Sequence, residues 1–204
     1  MIAQINTINQ EKKKNDDSNS IQEYFQQEVN YIIDVTLDDK AHTLKGNEYI
    51  EYTNNSPHDL DFLWFHIWPN AYKENTTALF QQDLEDGSLK GYYATNQEKG
   101  FINGLDFKVD GERVRWDYHP DHIDICKLIL NKPLKAGSSL QISTPFFVKI
   151  PDAKFSRLGH LDQSYMITQW YPKPAVYDVD GWHPMPYLNQ GEFYSEFGSF
   201  DVSI

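Results

Sequence analysis

At 204 residues, with 40% hydrophobic and 15% aromatic content, the chain can bury a full core without help from a metal or a disulfide. Its 30 acids against 18 bases leave a net charge of −12, which disfavours nucleic-acid backbones and anionic membrane surfaces as partners. The one basic run, Lys12-Lys13-Lys14, is soon followed by Asp16 and Asp17. Cys126 is the only cysteine, so no intrachain disulfide can form. No apolar run approaches the roughly 18 residues of a membrane-spanning helix.

Residues 1 to about 20 are dominated by Asn, Gln, Lys, Asp and Ser. They read as a flexible leader, ending near residue 22, with a short helix around Ile21 to Gln27. A two-residue period then takes over. Tyr31, Ile33, Val35 and Leu37 alternate with Ile32, Asp34, Thr36 and Asp38, the pattern of a strand with one apolar face. Glu48 to Thr53 is a second strand, closed by the turn signal Asn54-Asn55-Ser56-Pro57. Leu63, Phe65 and Ile67 alternate with Trp64, His66 and Trp68, and large residues on both faces put this strand inside a sheet. Thr76 to Leu84 is a short helix, with Thr76 or Thr77 at its start and Gly87 at its end.

Leu105, Phe107 and Val109 lead into Asp110-Gly111, and Val114, Trp116 and Tyr118 lead out, the strongest hairpin signal in the chain. Ile123 to Leu130 is another strand, in which Cys126 is a small buried side chain. After the turn Lys135-Ala136-Gly137, Leu140, Ile142, Thr144, Phe146, Val148 and Ile150 alternate with mostly polar neighbours. Gln163 to Trp170 and Phe197 to Ile204 supply two more strands. This pattern predicts an all-β fold over residues 23–204, an antiparallel sandwich or saddle of sheets with one or two short helices. The last strand runs to Ile204 without a closing turn, which predicts a piece of something longer.

Chemistry is harder to find. A zinc hydrolase usually places two His four apart on a helix with a Glu between them, and no such motif is present. Of the seven His, only His119 and His122 are close in sequence; they read as a polar turn, with a metal site using nearby acids as the alternative. His66 faces away from the Leu63/Phe65/Ile67 stripe and reads as a hydrogen-bonded structural residue. No nucleophile elbow, phosphate loop or dinucleotide fingerprint occurs, and Cys126 has no evident His partner. No catalytic residue is therefore assigned within the chain, and no cofactor. The most unusual segment is Met166 to Pro184, where aromatics interleave with prolines. Composition alone reads it as a packed loop over a sheet edge or as a binding surface.

Within it, Thr168-Gln169-Trp170-Tyr171-Pro172-Lys173-Pro174-Ala175 fits a Thr-Gln-aromatic-x-Pro-x-x-Ala run. Upstream come Tyr31 to Asp38, then Lys45-Gly46 to Ser56, then Lys132 to Gly137 before the strand ending Phe147-Val148-Lys149-Ile150-Pro151. Gly181-Trp182-His183 follows. On these residues the chain resembles the N-terminal β domain of the aminopeptidase N and leukotriene-hydrolase family of zinc metallopeptidases, in a bacterial branch. The resemblance implies that zinc sits in a separate catalytic domain, which would be this domain's partner together with a peptide substrate.

It also implies that Gln169 reaches into the cleft and helps shape the pocket for the substrate's first residue and free amino group. Trp170 and Tyr171 would lie beside it at the substrate. A neutral amide oxygen can accept from an ammonium without the desolvation of another carboxylate. The chain departs from the family after Ala175. Val176 and Tyr177 stand where two arginines are usual, and His183-Pro184-Met185 replaces an acidic ending. Export to a periplasm or cell surface follows from the same resemblance. The competing expectation is a stand-alone β-sandwich that binds peptides or glycans on exposed Trp and Tyr rings.

Overall fold

The alternation around Tyr31 becomes β1 (Glu28–Asp38), antiparallel to β2 (Thr43–Thr53), which pairs on its other side with β9 (Ser139–Lys149). A computed structural model describes residues 24–191 and 193–204. The expected leader and the start of the helix expected around Ile21 to Gln27 lie outside the described residues, and Tyr24 to Gln27 is irregular. β9 also pairs with β4 (Phe101–Asn103) and β5 (Lys108–Val109), and β5 turns back into β6 (Glu112–Arg113). Asp110 and Gly111 both have positive φ, 49° and 83°, as the mirror-image hairpin turn requires.

The second sheet is built on β3 (Leu60–His66), flanked by β8 (Ile125–Leu134) on one side and β12 (Lys173–Pro174) on the other. β7 (Arg115–Tyr118) extends it beyond β8. The expected single return strand from Val114 to Tyr118 is thus split: the chain leaves the first sheet at β6 and enters the second at β7. The core joins the two sheets. Val29, Tyr31, Ile33, Ile50, Tyr52 and Phe146 from the first belong to one buried cluster with Leu63, Phe65 and Leu128 from the second, and Phe65 meets Phe107 at 5.2 Å between ring centroids. The inner faces therefore carry the hydrophobic stabilisation, as in other two-layer β folds.

Helix α1 (Ala78–Glu85) lies between β3 and β4, with Thr77 at its cap position. The Thr77 hydroxyl donates to the carbonyls of Ala71 and Glu74 instead of accepting from the helix, so it ties down the preceding 3₁₀ turn, Trp68–Tyr72. The strand expected from Gln163 to Trp170 shrinks to β11 (Ser164–Met166), hairpinned to β10 (Gly159–Leu161). The chain leaves the ladder after Met166 and turns at Gln169, with φ 54°.

The antiparallel expectation fails at one pair of named strands. β15 (Phe200–Ser203) runs parallel to β1, with Tyr31 opposite Phe200 and Ile33 opposite Val202. Its approach depends on Gly198, where a Cβ would lie 1.5 Å from the carbonyl oxygen of Val29. Gly198→Ala is expected to cost about 1–3 kcal/mol and to raise amide exchange selectively across residues 199–203, read by hydrogen-exchange mass spectrometry. Unchanged protection there would refute the role given to Gly198.

Candidate functional site

The segment from Met166 onward leaves β11, turns at Gln169 and enters β12 at the free edge of β3, where Lys173 stands opposite His66. It then covers the outer side of the second sheet. β13 (Tyr177–Asp178) and β14 (Gly181–Trp182) form a small hairpin, and Trp182 meets Phe62 at 5.9 Å. The Trp68 indole N–H donates to the Met185 carbonyl at 3.0 Å. A covering loop over a sheet edge, one of the two readings from composition, is what this part of the chain forms.

Beneath the loop is a cluster of polar groups among aromatic rings. Lys173 is only 5% exposed. Its ammonium donates to the Gln169 side-chain oxygen and to the Ser195 hydroxyl, and lies 4.2 Å from the Trp68 ring centroid. All three contacts are neutral, so burial drives its pKa from 10.5 down to about 7. The His66 ring stacks on Trp68 at 4.3 Å. Burial first, and the nearby Lys173 second, push the His66 pKa to about 3. Its Nε2 accepts from the Met185 backbone N–H at 3.2 Å, which leaves the proton of the neutral ring on Nδ1. That Nδ1 is buried with no partner among the described residues. His66 is thus a hydrogen-bonded structural histidine.

Of the three residues expected at a substrate, Gln169 is half-buried at the turn. An ammonium can only donate, so the contact with Lys173 turns the amide oxygen of Gln169 inward. Its amide nitrogen makes no hydrogen bond among the described residues. Trp170 and Tyr171 are half-buried on the core. Trp170 packs against Phe146 at 5.8 Å and Tyr171 against Tyr31 at 5.5 Å. The three are contiguous and share the seam between the two sheets.

The same seam holds titratable groups that no sequence motif marks. Glu48 projects inward from β2, fully buried, and neither carboxylate oxygen has a partner among the described residues. Burial raises its pKa well above the ordinary value. Burial, and then Glu48, also raises the Tyr171 hydroxyl. Glu196, in the strap leading to β15, is pushed up to about 7 by burial. One signal in the sequence does mark Glu48: it occupies an inward slot in the alternation Gly46, Glu48, Ile50, Tyr52. Lys173 carried no such signal, because a two-residue strand has no readable period.

His119 and His122 stack at 5.1 Å, and the His119 Nδ1 accepts from the Asp121 backbone N–H at 3.2 Å. Among the described residues no three His, Cys, Asp or Glu side chains converge as metal ligands, so this pair does not fit a zinc tetrahedron. Cys126 is fully buried, and burial raises its thiol pKa. No helix among the described residues is long and apolar enough to cross a membrane.

No protein-family model matches the chain, and no curated protein matches it. Among solved structures it is similar to an M1 zinc metallopeptidase from Deinococcus radiodurans, with 12% identity and a TM-score of 0.35 over 62% of this chain and 20% of that one. A variant of the Deinococcus radiodurans peptidase bound to a Tyr-Ser-Ala substrate gives 12% and 0.35 over 64% and 22%. A two-domain M1 zinc metallopeptidase variant bound to L-arginine gives 12% and 0.35 over 62% and 21%. The chain thus spans about a fifth of the length of these structures.

Proposed function

We propose that this chain is the non-catalytic β domain of a zinc metallopeptidase that removes residues from peptide N-termini, acting as a scaffold for the catalytic domain and lending one edge of its substrate cleft. The observation that carries the reading is the turn at Gln169. A non-glycine residue in the left-handed region costs of order 1 kcal/mol and persists where the surroundings hold it. Here the buried Lys173 holds it, inside the run Thr168 to Ala175 on which the resemblance rests. Zinc belongs to the catalytic domain, and this chain supplies no ligand to it.

The contact with Lys173 refines the role of Gln169. With its oxygen engaged, the amide offers N–H donors, which suit a backbone carbonyl of the peptide better than its ammonium. Trp170 and Tyr171 brace the turn against the core. In the full-length protein, Gln169→Ala is expected to lower kcat/KM by about 10- to 100-fold, a loss of roughly 1.4–2.8 kcal/mol of transition-state stabilisation, while the fold survives the loss of the Lys173 hydrogen bond at a cost of about 1 kcal/mol. Unaltered kinetics would make Gln169 a structural residue only. Turnover of an aminoacyl reporter by residues 1–204 alone would overturn the non-catalytic assignment.

A further inference from the structure

The outward face of the first sheet presents a feature unrelated to the Gln169 turn. Its outward positions are mostly polar, as an antiparallel sheet facing water requires. One cross-strand pair breaks the rule: Ile32 on β1 faces Tyr49 on β2, and both side chains are 54% exposed. Around this pair runs a groove of roughly 700 Å³ lined also by Glu51, Gln141, Ser143 and Asp201.

The charge around the pair is mostly negative, although Lys108 borders Tyr49 on the side of β5. Asp201 lies beside Ile32 on β15, Glu51 lies two residues beyond Tyr49, and Asp34 lies two residues beyond Ile32. None of these three carboxylates makes a salt bridge among the described residues. The groove lining contains no Lys or Arg. The nearest cations on this face are Lys108, across from Ser143, and Lys45, across from Thr36. Carboxylates left unpaired around exposed apolar surface are complementary to a ligand that is apolar at its centre and cationic on both sides.

Strand geometry sets the spacing. Alternate residues on one strand are about 7 Å apart and adjacent strands about 5 Å, so the carboxylates ring the apolar pair at those separations. An extended peptide repeats its same-side chains at the same interval of about 7 Å. We infer that this face binds an extended peptide segment in which one apolar side chain sits between two basic ones, each two residues away. The apolar side chain lies over Ile32 and Tyr49, and the flanking ammonium or guanidinium groups reach Asp201, Asp34 and Glu51. A neutral glycan would gain nothing from the unpaired carboxylates as charges.

The test is a titration of the whole 204-residue protein, followed by NMR, with the capped peptide Ser-Lys-Ser-Leu-Ser-Lys-Ser. Shifts should gather at Ile32, Tyr49, Ser143 and Asp201. Affinity should fall about tenfold in Tyr49→Ser, and again in the double variant Glu51→Gln, Asp201→Asn. It should also fall as salt rises from about 0.05 M to about 0.5 M. All three substitutions are at exposed positions, and an unchanged thermal midpoint verifies the fold. The inference is overturned if no resonance moves. Equal binding of a peptide with Glu in place of Lys would overturn it as well, as would binding unaffected by the substitutions. A neutral oligosaccharide that shifts these resonances where the peptide does not would replace it.

Discussion

Glu48→Gln is expected to stabilise the protein at pH 7–8 and to leave it nearly unchanged at pH 4. The glutamine keeps the shape of a neutral Glu48 side chain and removes its titration. Glu48 is fully buried with both oxygens unpartnered among the described residues, so the folded protein strongly prefers the protonated carboxyl. The folded pKa is therefore above the unfolded one. Below the ordinary value of 4.5 both states hold the proton and the contribution is whole. As pH rises past that value the unfolded chain ionises first, and stability declines until the folded group ionises too. Urea unfolding of both proteins at several pH values measures the difference. A gap that does not widen between pH 4 and pH 8 would mean that Glu48 is paired or hydrated.

Lys173→Met should show the opposite slope. The folded pKa of Lys173, about 7, lies below its ordinary value of 10.5. The unfolded chain thus binds the proton more tightly between those limits, and the wild-type protein gains stability as pH rises from about 7 toward 10.5. Below pH 7 the cost of the buried ammonium is fully present. Methionine fills a similar volume without it. The variant is expected to be more stable by about 3 kcal/mol at pH 6, after allowing about 1 kcal/mol for each hydrogen bond lost to Gln169 and Ser195. The advantage should vanish at about pH 9 and reverse above it. Differences between variant and wild type are the proper readout, because raised hydroxyls such as Tyr31 and Tyr52 act on the same alkaline range. A variant less stable than wild type at pH 6 would show that the cation–π and hydrogen-bond contacts outweigh desolvation.

The strands that could be read from sequence are those long enough to show a period. β1, β2 and β9, each 11 residues, alternate cleanly between core and water, and Asp110-Gly111 marks its hairpin because few other pairs tolerate two positive φ values. β12, β13 and β14 are two residues each, too short for any pattern, and their places depend on β3 and on one another. A strand within Phe197 to Ile204 is legible, but the partner and parallel direction of β15 follow from tertiary packing that no local signal encodes. At the Gln169 turn the aromatic and proline content marked an unusual loop. The lysine that fixes the glutamine looked like any surface lysine, since burial depends on what folds over it. Glu48 stood in an inward slot, where a carboxylate conflicts with the pattern around it, and such conflicts are where further attention belongs.

The parallel pairing of β15 with β1 sets an order of events for the nascent chain. The hydrogen bond from Ser199 to Asn30 closes a span of 169 residues, so this contact has a long separation in sequence and forms late. At a synthesis rate of about 5–20 residues per second, β1 waits roughly 10–30 s for its outer neighbour to emerge. Throughout that interval an edge lined by Tyr31, Ile33 and Val35 is open to any passing strand. A slow stretch of codons between those for β1 and those for β15 would lengthen the exposure.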